Sequence, residues 1–228
     1  PKSGRAWIST KGWLESGSNP CERKWYGVKC TKDGHIYAVD LSSNRLSGTI
    51  PKAIGQLSHL KTLSLSGNVI FGPIPNEIGN LTNLKLFDIS NNNISNIPST
   101  ISSLDKLQQF IAFKNKLKNL SFFKNFNSVL YIDVSNNPIL GNINTFSIST
   151  DSCLKVLKMS NCSLRKMPDL NNCNKLNKID LSHNDIVLIE YLNNLPLLVE
   201  LNLSYNKINS IPSSIVNLLS KNSILYFS

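Results

Sequence analysis

The sequence predicts an α/β-type solenoid whose successive coils build a parallel β-sheet on the concave side and short 3-10 or loop segments on the convex side. Two observations predict it. An asparagine returns every 22 to 25 residues, each time as the last letter of L-x-x-L-x-L-x-x-N. Within each copy the apolar residues alternate at period two, the pattern of a short strand with one buried face. Such strands stack about 4.8 Å apart and line one continuous surface.

The register can be walked along the chain. Asn44 follows Val39 and Leu41, and Asn68 follows Leu57, Leu60, Leu63 and Leu65. Asn92 follows Leu81, Leu84, Phe87 and Ile89, and Asn115 follows Leu104, Leu107, Phe110 and Ala112. Asn137 comes after Phe126, Val129, Ile132 and Val134, Asn184 after Cys173, Leu176, Ile179 and Leu181, and Asn206 after Leu195, Leu198, Leu201 and Leu203. One copy carries Cys162 in the asparagine slot, behind Leu154, Leu157 and Met159. This gives eight registered repeats from Ile36 to about Pro212, one array (residues 36–228) behind an N-terminal cap (residues 1–35). The asparagine amide offers donors and an acceptor to backbone groups left unpaired where each coil turns. Cys162 can supply part of this with a weak S–H donor while packing as a small apolar group, so a structural role is expected of it.

Ahead of the first strand stand Trp7, Trp13 and Trp25, with Cys21 and Cys30 bounding PCERKWYGVKC. A first strand without a cover would expose its hydrogen-bonding edge and the end of the apolar core, so this segment is read as a lid. A Cys21–Cys30 disulfide would pin it. The alternative for the pair is two free thiols or half a zinc site.

At these residues the chain resembles the extracellular leucine-rich repeat family of plant receptor kinases, receptor-like proteins and polygalacturonase-inhibiting proteins. The family's cap pattern, a tryptophan, then P-C, then W-x-G-V-x-C, is met by Trp13, Pro20, Cys21, Trp25, Gly27, Val28 and Cys30. Its repeat extension N-x-L-x-G-x-I-P-x-x-I-G-x-L is met by Asn44, Leu46, Gly48, Ile50, Pro51, Ile54, Gly55 and Leu57, and again through Asn68, Gly72, Ile74, Pro75, Ile78, Gly79 and Leu81. From Asn92 onward the glycine is lost and the convex arm shortens, so the subfamily likeness covers the first third of the chain and the architectural likeness all of it. The resemblance implies secretion, a cell-surface or cell-wall location and recognition by the concave face of a horseshoe, without naming the ligand; non-catalytic binding of a protein, peptide or glycan is expected. A receptor or receptor-like ectodomain is the leading expectation; a structural subunit of a larger complex and a secreted inhibitor of a wall-degrading enzyme are the alternatives.

The 228 residues carry a formal net charge of +10, with lysines and arginines crowded in the N-terminal segment and in the middle repeats. The excess is either solvated surface or an attraction to an anionic partner, an anionic glycan among them. Nucleic acid is disfavoured, because no basic helix, zinc-finger spacing or RNA-binding signature accompanies the charge. No run of 18 apolar residues is present, so a membrane would be reached only through segments outside this chain. The start at Pro1 and the stop at Ser228 inside a ninth repeat read as a segment of a longer protein.

Two columns of the strand face can be listed in register. One reads Asp40, Ser64, Asp88, Ile111, Asp133, Lys158, Asp180 and Asn202; the next reads Ser42, Ser66, Ser90, Phe113, Ser135, Ser160, Ser182 and Ser204. Carboxylates two strands apart are separated by roughly 9.6 Å, too far for a retaining glycosidase pair, so the aspartates are expected to bond neighbouring serines rather than to catalyse. Phe113 alone breaks a serine column expected to face solvent. Around it the register places Ile111, Leu86 and Tyr131, with Lys85, Lys114 and Lys158 at their margin. Apolar groups ringed by charge read as a binding hot spot, or else as an irregular repeat covered by a neighbouring loop.

No catalytic motif, cofactor fingerprint or metal-ligand spacing occurs, and His35, His59 and His183 lie in different repeats. Five N-x-[ST] sequons, at Asn80, Asn93, Asn119, Asn161 and Asn202, are glycan acceptors if the chain is secreted. Asn80 is the favoured one, in a convex loop; Asn202 sits on the strand face, where a glycan would obstruct binding. Cys153 and Cys173 lie in adjacent coils, either bridged or as two isolated thiols. The stretch from Ile139 to Asp151 lengthens one repeat.

Overall fold

A computed structural model describes residues 7–13, 17–123, 126–139, 152–171, 173–190, 192, 195–215 and 224–227. The chain divides into two compact units, Pro1–Asn115 and Lys116–Ser228. Most of the lengthened stretch that follows Ile139 lies outside the described residues.

In the N-terminal unit the cap hairpin strand β1 (Val28–Cys30) pairs antiparallel with β2 (Ile36–Asp40). From β2 the sheet runs parallel through β4 (Thr62–Ser64), β6 (Leu86–Asp88) and β8 (Gln109–Ile111). One apolar residue of each strand, in register across the sheet, points inward: Val39, Leu63, Phe87 and Phe110 are all buried. Beyond the ladder asparagines a second parallel sheet appears that the repeat spacing did not foretell, formed by β3 (Ser47–Gly48), β5 (Val69–Pro73) and β7 (Asn93–Asn96). Each coil then turns through a 3-10 helix opened by proline: Pro51 before Lys52–Gln56, Pro75 before Asn76–Asn80 and Pro98 before Ser99–Ser103. The fixed φ of proline suits this entry, and its missing N–H costs nothing there. A Cβ on Gly55 would lie 2.6 Å from the Glu77 carbonyl oxygen, and one on Gly79 equally close to that of Thr100. Gly55 and Gly79, the second glycines of the repeat extension, let consecutive turns touch.

The cap is a ladder of indoles. Trp7 and Trp13 have ring centroids 5.6 Å apart and Trp13 and Trp25 5.0 Å. Trp13 Nε1 donates to the Tyr26 carbonyl at 2.8 Å, and Trp25 Nε1 to Ser18 Oγ at 3.1 Å. The first ladder asparagine clamps this lid: Ser9 N donates to Asn44 Oδ1 at 2.7 Å, and Asn44 Nδ2 donates back to the Ser9 carbonyl at 3.0 Å. Cys21 and Cys30 are disulfide-bonded, which settles the pair against free thiols. Closing this short loop restrains the unfolded chain, so Cys30→Ser is expected to cost about 2 kcal/mol, read as a lower unfolding midpoint than oxidised wild type.

The C-terminal unit repeats the plan with β9 (Tyr131–Asp133), β10 (Val156–Lys158), β11 (Lys178–Asp180), β12 (Glu200–Asn202) and β13 (Ile224–Tyr226), paired in parallel in that order. A cluster of Phe122, Phe123 and Phe126 fills its first turn, the first two rings stacked at 4.6 Å.

The asparagine ladder is the frame of both units. Each Oδ1 accepts an N–H from the coil before it: Asn68 from Leu46, Asn92 from Ile70, Asn115 from Ile94, Asn184 from Leu164 and Asn206 from Ile186. Each Nδ2 donates to carbonyls of its own and the preceding coil; Asn92 serves Leu65, Ile89 and Ser90. Cys162 imitates the donor half, its S–H directed at Val134 O at 3.3 Å and Ser160 O at 3.4 Å. It has no oxygen to offer the preceding coil, and there Ile139 N turns to the Asn137 carbonyl of its own strand end.

Candidate ligand-binding face

The strand face is built by the residues that alternate with the buried ladder of leucines. The recurring aspartates have local partners. Asp40 Oδ1 accepts from Ser42 Oγ at 2.6 Å, Asp88 from Ser90 at 2.7 Å and Asp180 from Ser182 at 2.7 Å, each also taking that serine's N–H. Asp133 accepts from Ser135 N, and Asn202 holds Ser204 in the same way. The carboxylates therefore fasten the ends of strands, as expected. The solvent-facing serine column needs correction: Ser90, Ser135 and Ser182 are buried, their short side chains covered by their neighbours, whereas Ser42 and Ser204 are half-buried.

Against that background the two candidate clusters are described unit by unit. In the N-terminal unit Asp88 pairs with Ile111 and Leu86 with Gln109 across β6 and β8. Leu86, Ile111 and Phe113 are half-buried rather than fully open, and Lys85 and Lys114 are exposed. Lys114 owes its exposure to a left-handed backbone, φ 52°, at the residue before the ladder asparagine. Ser43, Asn91, Asn136, Asn161, His183 and Tyr205 adopt the same conformation at that position, which projects one side chain per coil from the rim of the sheet. In the C-terminal unit Lys158 Nζ lies 5.7 Å from the centroid of Tyr131, a cation–π arrangement that half-buries the ring, and the Tyr131 hydroxyl donates to Asp133 Oδ2 at 3.4 Å. Lys178 and Glu200, register partners on β11 and β12, form an ion pair at 2.7 Å. The Glu200 carboxylate holds the Lys178 ammonium above its usual range.

The histidines that looked scattered are paired. His35 and His59 have ring centroids 4.0 Å apart, and His183 stacks on Tyr205 at 4.2 Å. The signal was available: His35 and His59 each stand nine residues before a ladder asparagine, and His183 and Tyr205 each stand one before. Among the described residues no group of three or more metal-ligating side chains forms.

Cysteine chemistry is confined as well. Cys153 and Cys173 are separate thiols, not a bridge. Burial pushes the thiols of Cys162 and Cys173 up to about 12, so neither supplies a thiolate near neutral pH. Iodoacetamide should therefore label half-exposed Cys153 in the native protein and spare the other two until it unfolds, as peptide mapping would show. No described helix is long and apolar enough to cross a membrane.

Comparison with known proteins agrees with this frame. Residues 37–138 match the family model for a leucine-rich repeat region, and residues 197–218 match that for a single leucine-rich repeat. A probable inactive leucine-rich repeat receptor-like protein kinase of Arabidopsis thaliana is 41% identical over 49 residues, and a second probable kinase of that type from the same plant is 33% identical over 52. The matches span 22% and 23% of this chain but only 7% and 5% of those proteins. Among solved structures, the ectodomain of the receptor kinase SOBIR1 from Arabidopsis thaliana is 29% identical, with a TM-score of 0.53 over 72% of this chain and 82% of that one. A leucine-rich repeat protein of Leptospira interrogans is 27% identical, with a TM-score of 0.57 over 81% of this chain and 52% of that one. With the asparagine ladder, the disulfide cap and these likenesses in agreement, the chain belongs to the leucine-rich repeat family.

Proposed function

We propose that this chain is a non-catalytic extracellular recognition module, part of a receptor or receptor-like protein, that takes a protein or peptide ligand on the strand face. One observation carries the reading. Every other described coil closes its strand with serine, mostly clamped by a carboxylate or an amide, whereas the coil of Asn115 presents Ile111 and Phe113, with Leu86 diagonal to Ile111 across β6 and β8 and with Lys85 and Lys114 exposed. Packing inside the coils does not require these groups, and a rigid apolar patch with a cationic margin suits a peptide that brings one apolar anchor and an acidic residue. Tyr131 under Lys158 is a second, separate anchor in the C-terminal unit. The receptor ectodomain among the structural neighbours supports the reading.

The test is a display library of secreted-type peptides selected on the wild-type chain, followed by calorimetric titration of the selected peptide. Burial of one aromatic anchor contributes about 1.5–3 kcal/mol, so Phe113→Ser should weaken binding tenfold or more. Because Phe113 is half-buried, the same change should cost about 1 kcal/mol of stability, well short of unfolding the unit. Ser66→Ala, on the same column, should leave affinity unchanged. Peptides that bind Phe113→Ser as tightly as wild type would move the site away from this patch.

A further inference from the structure

We infer that Asn93 carries an N-linked glycan whose first N-acetylglucosamine lies on the exposed ring of Phe71. Phe71 and Asn93 are register partners on β5 and β7, so their backbones are about 4.8 Å apart and their side chains leave the sheet on the same face. That face is outward, since Ile70 and Ile94 beside them are buried. Phe71 is 51% exposed and Val69 41%, an apolar strip on a small sheet that no described residue covers. Asn93 is exposed, its amide makes no hydrogen bond among the described residues, and Ser95 completes the sequon.

The other sequons are less suited. Asn80 is as exposed as Asn93, but the turns stacked on either side of its own, Lys52–Gln56 and Ser99–Ser103, hold no aromatic ring for a sugar to lie on. Asn161 Nδ2 is spent on Asn136 Oδ1 at 2.9 Å, and Asn202 holds Ser204 from within β12. Asn119 is open at nitrogen, with Oδ1 taken by its own sequon serine, and has no described aromatic partner in register. Transfer occurs on the nascent chain, so the folded state decides which attached sugar is tolerated and which is stabilising. In the reaction Asn93 Nδ2 bonds to the anomeric carbon of a lipid-linked oligosaccharide. The carbon–oxygen bond to the lipid pyrophosphate breaks, the pyrophosphate leaves with the electron pair, and the amide nitrogen loses one proton to base. An aromatic face against the apolar face of a pyranose then withdraws both from water.

This inference rests on the secretory part of the proposed function, and its test does not involve the ligand. The chain is expressed behind a secretion leader in cells that leave glycans high-mannose, and glycopeptides of the secreted fraction are mapped. Asn93 should be occupied. Trimming to a single N-acetylglucosamine should leave the melting temperature unchanged, whereas complete enzymatic removal should lower it by about 2–4 °C. In Phe71→Ser the trimmed and fully deglycosylated forms should melt within about 1 °C of each other. An unmodified Asn93 in secreted protein, or an equal loss in Phe71→Ser, overturns the inference. Failure of the recognition reading would show instead as absence of peptide capture, with these outcomes untouched.

Discussion

Replacing Asn115 by alanine is expected to destabilise the N-terminal unit by about 2–4 kcal/mol, several times the cost of a surface change. The side chain is 3% exposed and sits where two coils meet. Its Oδ1 accepts from Ile94 N at 2.9 Å, and its Nδ2 donates to Ile89 O at 2.9 Å and Ala112 O at 3.1 Å. Alanine leaves one buried N–H without an acceptor and takes the side-chain donor from two buried carbonyls, and the orphaned N–H carries the larger part of the penalty. Asn115→Asp keeps the acceptor but turns a charged oxygen toward those carbonyls, so it should cost at least as much. Ser66→Ala, with no carboxylate two residues before it, should fall within about 0.5 kcal/mol of wild type. Urea unfolding followed by intrinsic fluorescence distinguishes the cases. A near-neutral Asn115→Ala would mean that the ladder bonds contribute far less than their burial implies.

The ladder was readable in advance because it is a local chemical necessity restated in every coil. A turn that leaves backbone groups unpaired requires an amide at a fixed distance behind an alternating strand, and eight copies average out any single irregularity. Cys162 was legible for the same reason, since a weak donor can occupy a slot where donation matters most. The second sheet was not, because β3, β5 and β7 are stabilised by partners in the next coil, and segments such as Ser47–Gly48 carry no alternation of their own. The serine column was misjudged in depth rather than in register. Alternation tells which face a residue occupies but not its depth: Ser42 and Ser90 make the same bond to a carboxylate two residues earlier, yet Ser42 is half-buried and Ser90 buried. For the candidate face, the break at Ile111 and Phe113 was visible because everything around it is repetitive. The pairing of Lys158 with Tyr131, and that of His35 with His59, required the coils to be laid side by side.

Gly27→Ala is expected to detach the cap, at a cost of about 3–5 kcal/mol. Gly27 enters β1 with φ +73°, a conformation that L residues adopt with strain. Its carbonyl accepts the Asp40 N–H at 2.7 Å, beside the Val28 to Val39 pairing of the cap hairpin. A Cβ there would overlap the Asp40 carbonyl oxygen and lie 2.9 Å from its carbon, so the hairpin must open or the first coil must move. The disulfide would hold the displaced cap to the chain without restoring the contact, since Cys21 and Cys30 lie on either side of the glycine. Gly34→Ala separates the two causes. Gly34 has φ +78° but nothing within 4 Å of a Cβ, so its substitution should register the backbone strain alone, about 1 kcal/mol. Loss of the Trp13 and Trp25 contacts would appear in Gly27→Ala as a change in near-ultraviolet circular dichroism at a temperature where Gly34→Ala still gives the native spectrum. Equal losses in the two variants would show that the close approach to Asp40 is not what fixes glycine between Tyr26 and Val28, and that the left-handed turn alone explains it.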